Sequence, residues 1–120
     1  MGIEAFEHVQ LAMPEGQEDS ARSFYRDLLG MTEVPKPREL AKRGGAWFEV
    51  GTVRIHLGVE HDFRAARKAH PAFLISNIDE FATQLREADC DLTIDTNLPG
   101  FKRFYTNDPF GNRIEFMEAE

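Results

Sequence analysis

The chain has a single cysteine, Cys90, among its 120 residues. No internal disulfide can form, and a lone thiol supplies neither a thiolate zinc cage nor a paired-cysteine redox motif. Long apolar runs are also missing. A run such as AFLI, Ala72 to Ile75, falls far short of the roughly 20 residues needed to cross a bilayer, and the opening MGIEAFEH has no basic stretch ahead of an apolar one. Positive charge is scarce, with 14 Lys and Arg against 21 Asp and Glu for a net charge of −7. Such a balance repels a phosphate backbone, and the basic run KRGG, Lys42 to Gly45, is too short to reverse it. These shortages predict a cytoplasmic protein that engages neither nucleic acid nor membrane.

What is present is an ordinary globular composition, 42% hydrophobic and 29% charged, in a chain long enough for one compact domain with a core. The chain also repeats itself. EHVQLA (Glu7 to Ala12) and AHPAFLI (Ala69 to Ile75) both begin a strand-like alternation with a histidine, and each leads into a helical pattern. The first helix reads EDSARSFYRDLLG, with Asp19 or Ser20 as N-cap, Ala21, Phe24, Tyr25 and Leu28 at helical spacing, and Gly30 as C-cap. The second reads NIDEFATQLREADC, with Asn77 or Asp79 near its start and Ile78, Phe81, Ala82 and Leu85 on one face.

Strand-like runs follow each helix. In the first half they are Thr32 to Val34, then AWFEV and TVRIHL around a turn at Gly51. In the second they are LTID, then KRFYTN and NRIEFM around the turn DPFG. The expected fold is α+β, a single domain over residues 1–120. It is built from two βαβββ modules, about 5–58 and 69–118, with curved mixed sheets forming a concave cleft and helices outside. A lone module of this size would bury only about 60% of its unfolded surface and be marginal, so the two are expected to share one folded structure. Val59 to Ala69 reads as the connection.

Alternation along a strand sends neighbouring side chains to opposite faces. In NRIEFM it groups Ile114 with Phe116 and leaves Arg113, Glu115 and Met117 opposite; in VRIHL it groups Ile55 with Leu57 and leaves Arg54 and His56 opposite. Val9 and Leu11 separate likewise from His8, Gln10 and Ala12, and Phe73 from His70, Ala72 and Leu74. His8, His56, His70 and Glu115 then all point away from the helices, from matching places in the two modules. Imidazole and carboxylate are the usual ligands of divalent Zn, Ni, Mn, Fe or Co, so these four residues are the expected metal set. His61 falls outside the pattern.

The stretches EHVQLAMP, FYRDLLGM, VRIHLGVE, AHPAFLI and DPFGNRIEF resemble the vicinal oxygen chelate superfamily, which groups glyoxalase I, fosfomycin-resistance transferases, bleomycin-binding proteins and extradiol dioxygenases. The resemblance spans nearly the whole chain. It implies metal ligation by His8, His70 and Glu115, with His56 at a place where glyoxalase I typically has a glutamate and the other enzymes have no ligand. Gln10 stands where fosfomycin enzymes tend to have threonine. The function implied is a divalent-metal-dependent lyase, isomerase or transferase acting on a small oxygen-chelating substrate, with Lewis-acid stabilisation of an enolate or alkoxide. Glu115, or His56 if it is not a ligand, is then the acid/base. Gln10, Trp47 and Tyr105 are the expected pocket residues, and a homodimer is the expected assembly. The alternative is a non-catalytic protein of the bleomycin-binding type that holds a small molecule in the same cleft.

Overall fold

The computed structural model describes residues 1–120 and divides into two units, Met1–Arg64 and Ala65–Glu120. In the first unit, strand β1 (Val9–Met13) leads into helix α1 (Glu18–Ala21), which continues as a π-helical segment, Arg22–Leu28. Strands β2 (Thr32–Val34), β3 (Ala46–Val50) and β4 (Val53–Val59) follow, with a short helix α2 (Arg38–Ala41) between β2 and β3. The sheet order is β1-β4-β3-β2. The three later strands form an antiparallel meander that brings β4 back parallel to β1.

The second unit has the same plan: β5 (Ala72–Leu74), α3 (Ile78–Glu87), β6 (Thr93–Ile94), β7 (Phe101–Asn107) and β8 (Arg113–Ala119), in the order β5-β8-β7-β6. β5 and β8 are again parallel and the rest antiparallel. The expected βαβββ repeat is therefore present in both halves; helix α2 is an addition that the sequence pattern did not signal.

Local chemistry explains the boundaries. The first helix lacks the predicted side-chain cap: it starts after Gln17, and the Asp19 carboxylate turns to Arg22 at 2.9 Å. Its end widens, with the Leu29 N–H donating to the Phe24 carbonyl at 2.9 Å across five residues. Adjacent Phe24 and Tyr25 are both buried, edge to face at 4.9 Å. Gly30, at φ 77°, closes the helix in the left-handed conformation expected of a C-terminal glycine.

Helix α3 starts from Asn77, whose own side chain caps nothing. The Glu118 carboxylate on β8 accepts from the backbone N–H groups of Asn77 at 2.6 Å and Ile78 at 3.5 Å. The predicted turn DPFG is held by Asp108, whose Oδ1 accepts from the backbone N–H groups of Phe110 and Asn112, each at 2.9 Å.

In each unit the apolar strand face packs on the helix. Tyr25 stacks on Phe48 at 5.5 Å in the first, and Phe81 meets Phe116 edge-on at 4.8 Å in the second. Phe48, Ile55, Leu57, Phe104, Ile114 and Phe116 are buried on these faces, with Leu85 of α3 buried on the helix side, so the strand alternation assigned from sequence places Ile55, Leu57, Ile114 and Phe116 in the cores. The other face of each sheet carries the polar residues.

Candidate functional site

On the open face of the first sheet, strand pairing aligns Gln10, His56 and Trp47 in one row across β1, β4 and β3. On the second sheet the equivalent row is Ala72, Glu115 and Tyr105 across β5, β8 and β7. His8 precedes Gln10 by two residues, as His70 precedes Ala72. The duplication thus matches His8 with His70, His56 with Glu115, and Trp47 with Tyr105, each on its own sheet.

In the first unit these positions form a stack of three rings. The His56 imidazole lies 3.9 Å from the Trp47 ring, 5° from parallel, and 4.0 Å from the His8 ring, 14° from parallel. His56 is buried, and burial, reinforced by neighbouring His8, lowers its pKa below the usual 6.5. It is therefore a neutral imidazole at pH 7. A cavity of about 620 Å³ opens beside the stack, lined by Gln10, Lys36, Arg43, Trp47 and His56 among others.

The His56 shift sets a pH dependence. As pH falls, the unfolded chain protonates this ring first, so its contribution to stability is complete above about 6.5 and is lost progressively below that value. Denaturation at pH 7.5 and 5.5 is expected to show a larger acid loss in the wild type than in His56→Gln. Equal losses would contradict the assignment.

In the second unit, Glu115 is buried and engaged through both oxygens. His70 Nε2 is 2.9 Å from Oε1, and Arg103 Nη1 donates to Oε2 at 3.1 Å and to the Tyr105 hydroxyl at 3.0 Å. Arg103 is held from its other side by Asp95 at 3.2 Å. The His70 Nδ1–H donates to the Lys68 carbonyl at 2.7 Å, which fixes the ring and turns Nε2 toward the carboxylate. The Arg113 guanidinium covers the Tyr105 ring at 4.0 Å. The interaction with Glu115 also raises the Arg103 pKa, so this guanidinium is a permanent cation beside the carboxylate.

The fit of a divalent ion differs between the two pairs. Nitrogen and oxygen ligands on one ion, each at about 2.0–2.2 Å, sit roughly 3 Å apart when adjacent. The 2.9 Å separation of His70 Nε2 and Glu115 Oε1 matches that spacing. A backbone carbonyl on Nδ1 is the usual support of an Nε2 ligand, and Arg103 engages only the other carboxylate oxygen. His70 and Glu115 therefore fit.

His8 and His56 do not fit as joint ligands. Lone pairs lie in the ring planes, and two rings only 14° from parallel cannot both aim at an ion about 2 Å from each nitrogen. Within either unit, no third His, Cys, Asp or Glu completes a metal-binding group. The expected pocket residues are placed as follows: Trp47 and Gln10 line the cavity of the first unit, and Tyr105 lies in the network of the second. Sequence reasoning missed Lys36 and Arg43, which reach the cavity from the β2–β3 connection, and the only signal available was the cluster of prolines and glycines around them.

Residues 6–116 match the family model described as Glyoxalase/Bleomycin resistance protein/Dioxygenase superfamily. A solved structure assigned to the glyoxalase family, from Bacillus anthracis, shares 50% identity at a TM-score of 0.96, covering 100% of this chain and 98% of that one. The fold is also that of lactoylglutathione lyase from Agrobacterium tumefaciens, at 21% identity, TM-score 0.77 and coverage of 98% and 96%. The fosfomycin resistance protein FosX from Listeria monocytogenes is similar too, at 14% identity, TM-score 0.79 and coverage of 99% and 96%. Among curated proteins, none matches significantly.

Proposed function

This chain belongs to the Glyoxalase/Bleomycin resistance protein/Dioxygenase superfamily, and on that premise we propose that it is a divalent-metal-dependent enzyme acting on a small oxygen-chelating substrate. The observation that carries this reading is the His70–Glu115 pair, spaced at 2.9 Å with its outer contacts already made. The proposed protein ligands in the second unit are His70 and Glu115, for one of Zn, Ni, Mn, Fe or Co. When bound, such an ion supplies Lewis-acid stabilisation of negative charge developing on a substrate oxygen.

The remaining steps belong to the protein. His56, neutral and fixed between two rings, accepts a proton at a ring nitrogen from the substrate and returns it later in the cycle. Trp47 keeps that imidazole in one plane, and Gln10, next to it in the strand row, offers an amide for orienting a polar substrate group. Arg103 holds the Glu115 side chain in one rotamer. Removing such a support from a metal ligand typically costs 10–100-fold in affinity. Arg103→Met is therefore expected to weaken metal binding by roughly that factor in calorimetric titration, and an unchanged affinity would remove Arg103 from the site.

A second reading, a non-catalytic protein that holds a small molecule, draws on the cavity beside the ring stack, which serves binding without a metal. Metal analysis of protein purified without tag or chelator separates the two. Stoichiometric metal, with turnover of a hemithioacetal, epoxide or catechol that stops on chelation, supports the enzyme. Metal-free protein that still binds small molecules supports the second reading. We also propose a homodimer, in keeping with the exposed Ile3 and Phe6 side chains; a monomer in sedimentation at micromolar concentration would contradict it.

A further inference from the structure

The charges around the first-unit cavity are unevenly paired. Arg54 lies 3.0 Å from Glu7 and 3.7 Å from Glu49, so its charge is fully engaged by these two lining carboxylates. Lys36 and Arg43 line the same cavity with no carboxylate partner of their own. Lys36 Nζ donates to the Gly44 carbonyl and stands 6.0 Å over the Trp47 ring. The nearby Glu18 carboxylate is committed to the Gly45 N–H at 2.8 Å.

Burial, and then the charge of Arg43, lower the Lys36 pKa, so the two cations are close enough to repel each other. Glu18 acts on Lys36 as an opposing charge from outside ion-pair distance, so in a chain of net charge −7 two cations without an ion pair facing one cavity mark a place where an anion relieves repulsion and gains charge-assisted hydrogen bonds. Both cations come from the Pro35–Gly45 connection, which enters from outside the sheet. His8, His56 and Trp47 of the ring stack line the same cavity. A volume near 620 Å³ suits a small organic molecule.

We propose that Lys36 and Arg43 clamp an oxyanion, the carboxylate or phosphonate of a small-molecule substrate whose flat or apolar part lies along Trp47. This deepens the proposed function by naming the substrate class, and it rests on the reading that this cavity holds the substrate. The clamp fixes one end of the molecule while its other oxygens remain free for chemistry. It selects against neutral analogues of the same shape, because an unpaired cation gains nothing from them.

Trp47 is the chain's only tryptophan, so its fluorescence reports this cavity alone. Titrations with phenylphosphonate, benzoate and neutral benzamide are expected to give saturable changes for the two anions and at least tenfold weaker binding of benzamide. Inorganic phosphate should compete with the tighter anion, and the order of the two anions identifies the preferred group. Lys36→Met and Arg43→Met should each weaken anion binding about tenfold and leave benzamide unchanged, with Lys36→Arg restoring most of the loss; Arg43 is exposed, so its replacement leaves folding intact.

Benzamide binding as tightly as benzoate, or unchanged anion binding in both methionine variants, overturns the clamp. The titrations are run on chelator-treated protein and again with added zinc. Anion selectivity without zinc uptake leaves the clamp standing and removes the metal reading. Zinc uptake without anion selectivity does the reverse.

Discussion

Glu115→Gln is expected to abolish metal-dependent turnover and to weaken metal binding by more than about 100-fold, beyond the 10–100-fold typical of losing a ligand's supporting partner. Glutamine keeps the size of the side chain, and its amide can still meet His70 and Arg103. What it loses is the anionic oxygen that faces His70 Nε2 at 2.9 Å. Circular dichroism should show an unchanged fold, while calorimetry shows the metal isotherm flattened. A variant that retains wild-type metal affinity would take Glu115 out of the ligand set and leave it as the buried partner of Arg103.

The largest effect on stability is expected at Gly45, on the segment that carries Lys36 and Arg43 into the cavity. A Cβ at this position would lie 2.0 Å from the Leu57 carbonyl oxygen, and the backbone stands at φ +84°. The obstacle is backbone on β4, paired with Ala46 of β3, so relief requires opening the ladder. Gly45→Ala should therefore cost at least about 3 kcal/mol, lowering the melting temperature by roughly 10 °C or more. Gly30→Ala is the control. Its φ is +77° but nothing lies within 4 Å, so only conformational strain applies, about 1 kcal/mol. Equal melting temperatures for the two variants would contradict the close approach at Gly45.

The features visible in sequence are those that depend on strand alternation and on the repeat. VRIHL and NRIEF each show two apolar residues flanking a polar one, which assigns Ile55 and Leu57, or Ile114 and Phe116, to the helix face without knowledge of the partner strands. The same rule places His56 and Glu115 on the open face. Features set by tertiary contact were not visible. The cap on α3 comes from Glu118, 41 residues after Asn77, whereas the sequence offered Asn77 and Asp79. Arg103 is indistinguishable in sequence from a solvated arginine until pairing with β8 sets it beside Glu115.

The His8–His56 stack depends on the parallel pairing of β1 with β4 and on side-chain rotation. Reading both histidines as ligands follows from their shared face, but ring planes are a property that strand alternation does not specify. Lys36 and Arg43 were hidden for a different reason. They sit on a connection between strands, where no periodicity assigns a side chain to a face.

The central claim is that His70 and Glu115 are poised to hold a divalent ion. Its most direct test is the histidine ring ¹⁵N spectrum of the chelator-treated protein before and after one equivalent of zinc. The account predicts that His70 carries a proton on Nδ1 throughout, in keeping with its bond to the Lys68 carbonyl, and that Nε2 moves to a metal-bound shift while the His56 nitrogens keep their neutral pattern. An unmoved His70 Nε2 in the presence of bound zinc would contradict it.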